Sequence, residues 1–389
     1  MDFDIHNAAI DNREAKTPLF LLTEKRGAPA IWLEKRLAEC YNSRVIYSME
    51  DFMQKDRLIL PRHYVSRMSV RETEHAIKVI KDRFESELAG ELNLYRISAP
   101  LYLRANSGLN DNLNGTERPV SFDIKDIGET VEIVHSLAKW KRVALKRYGF
   151  EPGEGIYTDM NAIRRDEELD NLHSVYVDQW DWEVIITREG RNVETLKSLV
   201  RGIYGAMKKT ENYLLSVYPK LPGQLPDRIH FMTAQQLEDE YPLLSPKERE
   251  DAAARRYGAI FLMQIGGKLR SGQPHDGRAP DYDDWELNGD ILVYYPLLER
   301  AFELSSMGIR VDRESLLRQL EAAGCEERAK LPFHRQLLEG KLPLTAGGGI
   351  GQSRLCMLLL GKAHIGEVQA SVWPTEMREI CEQYHIKLL

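Results

Sequence analysis

The segment that most constrains the fold is residues 174–182, where aromatic and polar residues alternate with a period of two. Such alternation predicts a β-strand, whose successive side chains point to opposite faces of a sheet. One face carries Gln179, Asp181 and Glu183, and the other carries Tyr176, Asp178, Trp180 and Trp182. The polar face has two interpretations. Either it is exposed to solvent over an aromatic core, or its amide and carboxylates bind the charged groups of an amino acid.

Strand and helix patterns follow one another irregularly along the rest of the chain. Strands are predicted at residues 94–97, 131–134, 260–265, 291–295 and 301–305, and helices at 136–148, 195–215 and 353–360. Long strands joined by hairpins, with uneven helices between them, favour an α+β fold with an antiparallel sheet over a repeating parallel unit.

A long helix is predicted to begin after Ser69, because Ser69 and Glu72 have the spacing of a capping box. Gly90 is the expected end of this helix. Its apolar face consists of Ile77, Ile80, Phe84 and Leu88. That face fits either the core of one subunit or a contact between two subunits.

Residues 1–65 are predicted to form an N-terminal extension, separate from a main domain at residues 66–389. Strand patterns at 18–22 and 44–47 flank a helix pattern at 29–41, which suggests a small β-α-β arm. Its positive and negative charges nearly cancel. A structural arm or a subunit contact is therefore favoured over a tRNA-binding appendage.

Composition argues against several classes of protein. The formal net charge of −7 provides no overall basic surface for nucleic acid. No apolar run approaches the ~20 residues of a membrane span, and the acidic first residues are unlike a signal peptide. The four cysteines are scattered at positions 40, 325, 356 and 381. They do not suit a zinc ribbon or a disulfide framework, and they favour a reducing, cytoplasmic location.

A glycine-rich stretch at residues 346–354 includes Gly349 and Gly351 and places Arg354 in the first turn of a predicted helix. Glycines let backbone approach a ligand, a helix N-terminus favours negative charge, and an arginine can fork onto a phosphate. The stretch matches neither a Walker loop nor a dinucleotide fingerprint. The alternative is a tight strand-to-helix turn with a surface arginine.

Arg164 and Glu167 lie in a predicted hairpin tip just before the alternating strand. An arginine there can hold an α-phosphate, and Glu167 can accept a hydrogen bond from an adenine amino group or orient the loop. The alternative is an ordinary solvated tip.

Two carboxylates next to strand patterns, Asp290 and Glu303, are the candidates for Mg²⁺ against a triphosphate. Glu303 and Ser305 share one face of their strand. The acidic run at residues 278–284 ranks lower, because acidic loops are more often solvated.

A basic helix begins near Ser136, and most of its charges are expected to face solvent. Lys141 flanks the apolar stripe of that helix and is placed to reach into a site. Asp111 lies in an Asn- and Gly-rich loop at residues 110–115 that is typical of turns. Neither a Ser-His-Asp arrangement nor metal-type His/Cys spacing is evident.

These stretches together resemble the catalytic domains of class II aminoacyl-tRNA synthetases. Pro100 loosely resembles the first motif of that family, Arg164-x-x-Glu167 the second, and Gly349-x-Gly351-x-x-Arg354 the third. More specifically, the chain resembles the ammonia-dependent asparagine synthetases of type A, the aspartate–ammonia ligases, from about residue 69 to the C-terminus. The stretches that carry this resemblance are residues 110–115, 135–142, 173–183, 278–285, 303–310 and 347–354. The N-terminal extension is not part of this resemblance. The link from Trp285 to Asn288 is shorter than the corresponding segment of some members of the family.

The resemblance implies an antiparallel sheet of six to eight strands in a homodimer, with L-aspartate, ATP and ammonia as substrates, β-aspartyl-AMP as the intermediate, and L-asparagine, AMP and diphosphate as products. Residues implied around the aspartate are Asp111, Ser136, Lys141, Gln179, Asp181 and Arg310. Residues implied around ATP are Arg164, Glu167, Asp290, Glu303, Ser305, Gly349, Gly351 and Arg354, with Glu303 and Asp290 also holding Mg²⁺. Catalytic roles are implied for Arg164, Arg354, Asp111 and Gln179.

The sequence also bears on the nitrogen source and on two other functions. Asp2 stands where glutamine-dependent synthetases of the other asparagine-forming family carry a cysteine, so free ammonia is favoured. A tRNA-charging enzyme for Asp or Asn would need a basic anticodon-binding domain, which the extension is too short and too neutral to provide. A regulatory relative without activity would be expected to have lost Arg164, Glu303 and Arg354, yet all three are present.

Overall fold

The computed structural model describes residues 57–111 and 117–389 of the chain, all of which belong to one compact unit. The predicted β-α-β arm lies outside the described residues. An eight-stranded sheet with the strand order β1-β5-β6-β11-β10-β9-β8-β7 forms the centre of this unit. Its strands are β1 (Leu94–Arg96), β5 (Gly155–Ile163), β6 (Tyr176–Ile185), β7 (His230–Thr233), β8 (Ala259–Met263), β9 (Asp283–Tyr295), β10 (Arg300–Arg310) and β11 (Thr345–Gly351).

Neighbouring strands of this sheet run antiparallel except at its two edges, where β1 pairs with β5 and β7 pairs with β8 in parallel. A second, three-stranded sheet has the order β2-β4-β3. Its strands are β2 (Tyr102–Arg104), β3 (Ser121–Asp123) and β4 (Thr130–Ile133). The α+β fold with a mainly antiparallel sheet is confirmed.

The described helices cover the large sheet and connect its strands. They are α1 (Val70–Leu92), α2 (Ala138–Tyr148), α3 (Val193–Val217), α4 (Ala234–Glu240), α5 (Pro246–Tyr257), α6 (Arg313–Ala322), α7 (Pro332–Leu338), α8 (Gln352–Leu360) and α9 (Thr375–Gln383). Within the described ranges, no helix combines the length and the apolar character needed to cross a membrane.

Helix α1 begins with the predicted capping box, in which Ser69 and Glu72 satisfy each other's backbone N–H groups. The expected end at Gly90 is wrong. The helix continues to Leu92 and ends at Asn93, which adopts a left-handed conformation with φ 52° and donates its N–H to the Ala89 carbonyl. Asparagine tolerates this conformation better than most residues, so the helix has a stop three residues beyond the glycine.

The apolar face of α1 belongs to the core of the subunit. Ile80, Phe84 and Leu88 are fully buried within a single chain, and Ile77 packs at the margin of the same cluster. The Phe84 ring lies 4.6 Å from the Trp180 ring of β6. Ile80, Phe84 and Leu88 therefore have no surface left for a contact between subunits, and only Ile77 is partly exposed.

Strand β6 is covered on both faces. Its aromatic face, with Trp180 and Trp182, packs into the main core. Its opposite face is not exposed, since Asp181 and Glu183 are also buried. The interpretation of that polar face as a solvent-exposed surface is therefore wrong, and its charges must find partners inside the protein.

Strand β11 contains most of the glycine-rich stretch and leads directly into α8. Residues 345–351 pair with β6 on one side and β10 on the other, and the chain enters α8 directly. The glycine-rich stretch is therefore a central strand of the sheet, because pairing on both sides supplies partners for its backbone.

Candidate active site

Lys141 of α2 is fully buried against the polar face of β6. Its Nζ forms an ion pair with Asp181, lies 3.7 Å from Glu183 Oε2, and donates to the carbonyls of Trp182 at 2.8 Å and Gly348 at 3.3 Å. Burial lowers the pKa of this amine below its ordinary value, although the two carboxylates oppose the shift. The ammonium is thus held inside the protein by a complete set of acceptors.

The prediction that the charges of α2 mostly face solvent is wrong. Lys139, Lys141 and Arg142 are all buried. Lys139 pairs with Asp281 at 3.0 Å, and Arg142 donates to the carbonyls of Pro343 and Val311 at 2.7 Å each. Helix α2 can carry these buried charges because it packs on the polar face of the sheet. It also packs on the segments that follow β10 and precede β11, whose carbonyls accept hydrogen bonds.

Arg310, at the end of β10, joins the same cluster. Its Nε lies 3.0 Å from both oxygens of Glu183, its Nη2 lies 2.7 Å from Glu183 Oε2, and its Nη1 pairs with Asp283. Burial alone would raise the pKa of Glu183, but Arg310 and Lys141 outweigh it and hold the pKa below its ordinary value. Burial raises the pKa of Asp283 despite Arg310.

The glycines of β11 make room for this cluster. A Cβ on Gly347 would lie 2.0 Å from Glu183 Oε2, and one on Gly349 would lie 2.4 Å from Gln179 Oε1. Glu183 and Gln179 of the sheet fill the space beside these two glycines. Their contacts with these side chains are enough to explain why the positions are glycine, without a ligand. Gly351 lies at the start of α8, where a Cβ would meet the Arg354 side chain at 3.1 Å.

The remaining residues predicted around aspartate lie beside the cluster. The Asp111 carbonyl lies 3.1 Å from His135 Nδ1. Burial raises the pKa of the Tyr282 hydroxyl, and the charge of the buried Asp111 carboxylate raises it further. The Tyr282 ring lies 5.8 Å from the Arg310 guanidinium carbon. Ser136 accepts a hydrogen bond from the Ala138 N–H at 3.1 Å, at the start of α2. The structure thus brings all six predicted residues to one region between α2 and the sheet.

A second group of charges begins beyond Gly349, whose carbonyl accepts a hydrogen bond from Ser305 Oγ at 2.9 Å. Arg354 Nη1 donates to the Glu303 carbonyl at 3.1 Å and lies 3.8 Å from Glu303 Oε2. Arg164 lies 3.6 Å from Glu167. Burial would raise the pKa of Glu303, but positive charges that include Arg354 and Arg164 lower it. Arg354 therefore contacts Glu303 directly, and the charge of Arg164 from the hairpin acts on the same carboxylate.

Asp290 lies next to this group and forms an ion pair with Arg278. Burial, helped by the charge of Glu303, raises the pKa of Asp290 to about 6 against the effect of Arg278. Among the described residues, no group of three or more His, Cys, Asp or Glu side chains is arranged to hold a metal. Two neighbouring carboxylates fit a cation such as Mg²⁺, which usually takes one or two from the protein and the rest from phosphates and water.

Three residues of these clusters were not among the predicted site residues: Glu183, Asp283 and Arg278. Glu183 was visible on the polar face of the alternating strand, so its signal was present. Asp283 and Arg278 were ranked low with their acidic run, yet β9 begins at Asp283, directly opposite Arg310. That register between distant segments cannot be obtained from a local pattern.

Comparison with known proteins identifies a family over most of the chain. Residues 71–385 match the family described as aspartate–ammonia ligase. An aspartate–ammonia ligase of Ruminiclostridium cellulolyticum is 64% identical over 333 residues, which cover 85% of this chain and 99% of that relative. One from Fusobacterium nucleatum is 65% identical over 326 residues, covering 84% and 99%. Because only residues 386–389 follow the family region, most of the unmatched part precedes residue 71.

Solved structures with a similar fold are tRNA synthetases. An asparaginyl-tRNA synthetase from Pyrococcus horikoshii, complexed with asparaginyl-adenylate, has a TM-score of 0.57 and 12% identity, covering 78% of this chain and 70% of that one. An asparaginyl-tRNA synthetase from Entamoeba histolytica, also with asparaginyl-adenylate, has a TM-score of 0.55 and 16% identity, covering 94% and 80%. At such identities the likeness concerns the fold alone, and it confirms the predicted class II synthetase-like architecture.

Proposed function

The chain belongs to the aspartate–ammonia ligase family, and on that premise we propose that it converts L-aspartate, ATP and ammonia into L-asparagine, AMP and diphosphate. In the first step an oxygen of the aspartate β-carboxylate attacks the α-phosphorus of ATP, and diphosphate leaves as β-aspartyl-AMP forms. In the second step the ammonia nitrogen attacks the β-acyl carbon and AMP leaves. The nitrogen then gives up a proton, which yields the amide.

The observation that carries this proposal is the composition of the buried cluster. Its ion pairs join the carboxylates of Asp181, Glu183 and Asp283 to the cations Lys141 and Arg310. Because acidic groups outnumber basic groups, the cluster favours one more cation inside the protein. We assign that place to the α-ammonium of aspartate, with Ser136 and Gln179 as neutral partners beside it.

The same excess of carboxylates suits the nitrogen source. An acidic pocket attracts ammonium and offers groups that can accept its proton, which gives the nucleophilic ammonia. In this proposal Asp111 and Gln179 act next to the reacting carboxylate, while Arg310 and Lys141 keep the surrounding acids in place.

The second group of charges suits ATP. We propose that Arg164 holds the α-phosphate, that Arg354 holds the terminal phosphates, and that Glu167 accepts a hydrogen bond from the adenine amino group. Ser305, Gly349 and Gly351 lie along the path between the two groups of charges. Positioned arginines stabilise the charge that develops on phosphate oxygens during phosphoryl and adenylyl transfer.

Glu303 and Asp290 are the residues that would hold Mg²⁺ in this proposal. The ion would supply positive charge to the phosphates. Asp290 must first exchange its ion pair with Arg278 for the cation, and the freed guanidinium would then also lie near the phosphates.

The experiment that tests the proposal measures asparagine and AMP formed from aspartate, ATP and Mg²⁺ without tRNA. Three parallel reactions contain ammonium, glutamine or neither. We expect asparagine and AMP in equal amounts with ammonium and little with glutamine. Aspartate-dependent exchange of diphosphate into ATP without any asparagine would contradict amide formation and support activation alone.

Three broader assignments complete the proposal. Residues 66–389 are the catalytic domain and residues 1–65 an extension, which the family match at residues 71–385 supports. A homodimer is proposed, with the edge strand β1 as the pairing element, and sedimentation of the full chain tests it. A cytoplasmic location is proposed because Cys325, Cys356 and Cys381 are free thiols.

A further inference from the structure

Asp178 lies on the aromatic face of β6, opposite to the buried charge cluster, and it contacts the first turn of α8. Its Oδ1 accepts a hydrogen bond from the Ser353 backbone N–H at 3.0 Å. The residue that precedes α8, Gly351, has no side chain to cap these N–H groups. Asp178 therefore caps the helix from a neighbouring strand, in the place that an N-cap side chain usually takes.

The Asp178 carboxylate is itself held from two directions. Lys81 of α1 lies 3.3 Å from its Oδ2, and Gln369 Nε2 donates to Oδ1 at 3.3 Å and to Ser353 Oγ at 3.0 Å. Asp178 is also buried. These contacts fix the carboxylate and, through it, the start of α8.

A second carboxylate holds the same turn. Gln352 Nε2 donates to Asp159 Oδ1 of β5 at 3.0 Å, and the other oxygen of Asp159 accepts from Arg96 Nε at 3.1 Å and Nη2 at 2.7 Å. The two residues immediately before Arg354 are thus tied to two neighbouring strands.

This arrangement changes how α8 can bind an anion. A free helix N-terminus attracts a phosphate through its N–H groups and its dipole. In α8 the Ser353 N–H of the first turn already donates a hydrogen bond to the Asp178 carboxylate. With that N–H group occupied, the turn depends more on the Arg354 side chain to bind a phosphate, and Arg354 Nη1 donates to the Glu303 carbonyl on the adjoining strand.

We propose that Asp178 is a positioning residue for ATP, which fixes the first turn of α8 and thereby aims Arg354 at the terminal phosphates. The proposal rests on the role of Arg354 in the proposed function. Asp178 itself touches no substrate, and it lies on the other side of the sheet from the residues assigned to aspartate.

The test compares Asp178→Ala and Asp178→Asn with the parent protein. Calorimetry measures the Kd of MgATP, and steady-state assays measure the KM values of ATP and aspartate. We expect Asp178→Ala to weaken ATP binding about tenfold, because a looser first turn holds Arg354 in its binding geometry for a smaller fraction of the time, and to leave the KM of aspartate within about twofold. Asp178→Asn keeps an oxygen acceptor for the Ser353 N–H and should restore most of the ATP affinity.

A double-variant cycle separates positioning from general damage. If Asp178 acts through Arg354, Asp178→Ala should weaken ATP binding much less in an Arg354→Ala background than in the parent. Independent, multiplicative effects would overturn the proposal. The matched control is Asn192→Ala, which removes an equivalent cap from α3, where Asn192 Oδ1 accepts from the Thr195 N–H at 2.9 Å; ATP affinity should not change.

If Asp178→Ala does not fold, Gln352→Ala provides a second test. It removes the hydrogen bond from Gln352 to Asp159 of β5 and so loosens the same first turn of α8. It should also raise the Kd of ATP and spare the KM of aspartate, and an equal effect on both substrates would overturn the proposal. A parent protein that binds no MgATP would contradict the proposed function. Normal binding by the parent together with unchanged binding by the folded Asp178→Ala variant would contradict only the positioning role.

Discussion

The guanidinium of Arg310 spans both carboxylate oxygens of Glu183, with Nε 3.0 Å from each and Nη2 2.7 Å from Oε2. Both side chains are buried. If the two charged groups were separated, little water could reach them to replace the lost hydrogen bonds. A buried charge whose partner moves away becomes costly. Gly347 of β11 lies directly against the pair and leaves no space for even a methyl group.

Gly347→Ala is therefore expected to separate Arg310 from Glu183. We predict a loss of about 1–3 kcal/mol in the free energy of unfolding, as for other overpacked positions, and a clear rise in the KM of aspartate. Denaturant titration and initial rates measure these effects. Gly205→Ala is the control, because a Cβ at this α3 position meets no atom within 4 Å and alanine favours a helix. Equal behaviour of the two variants would contradict the prediction.

The alternating pattern of β6 predicted the two faces correctly because strand periodicity is local. The same pattern could not tell whether the polar face was buried, since that depends on α2, which lies some forty residues earlier in the chain. Lysines on helices are usually solvated, and that expectation failed for Lys139, which pairs with Asp281 across the interface. Lys141 was predicted to reach into a site from the edge of the apolar stripe, and it does pair with Asp181 there.

The glycine-rich stretch illustrates a second limit of local patterns. Its composition indicated close backbone approach, which is correct, but not what approaches. Gly347 and Gly349 accommodate Glu183 and Gln179 of the neighbouring strand, a relationship that follows from the register of β11 on β6. Arg278 was missed for the same reason, because its partner Asp290 lies on a strand whose pairing the sequence did not reveal.

Arg354→Ala is predicted to reduce ATP-dependent asparagine formation by a factor of about 10³ or more, the range found for arginines that stabilise phosphoryl transfer. The reason is that Arg354 is the side chain assigned to the terminal phosphates. Turnover with ammonium measures the effect. Arg378→Ala removes an exposed arginine of α9 and should retain full activity. Unchanged turnover in Arg354→Ala would remove the residue from the proposed ATP site.

Glu303→Gln should raise the Mg²⁺ concentration required for half-maximal activity by about tenfold or more, because a neutral amide is a weaker magnesium ligand than a carboxylate. Removal of Mg²⁺ by a chelator should stop both parent and variant. The control is Glu299→Gln, which alters an exposed glutamate just before β10. If both variants require the same Mg²⁺ concentration as the parent, Glu303 does not hold the cation.

His364 provides a prediction about acid stability. Its imidazole is fully buried, its Nδ1 accepts a hydrogen bond from the Gly366 N–H at 3.0 Å, and the ring lies 4.8 Å from the Trp373 ring. Burial lowers the pKa of His364 to about 4, from an ordinary value of 6.5. Between these two pH values the unfolded chain binds a proton at this imidazole and the folded chain does not.

The free energy of unfolding should therefore fall as the pH is lowered from 6.5 to 4, with this imidazole contributing a loss of about 3 kcal/mol. His364→Gln replaces the titrating ring by a side chain that still offers an oxygen acceptor to the Gly366 N–H. Denaturant titrations of parent and variant at pH 4, 5, 6 and 7 isolate the imidazole, because all other titrating groups are common to both. The difference in stability between the two proteins should shrink toward acid pH, and a constant difference would show that His364 is not held neutral by burial.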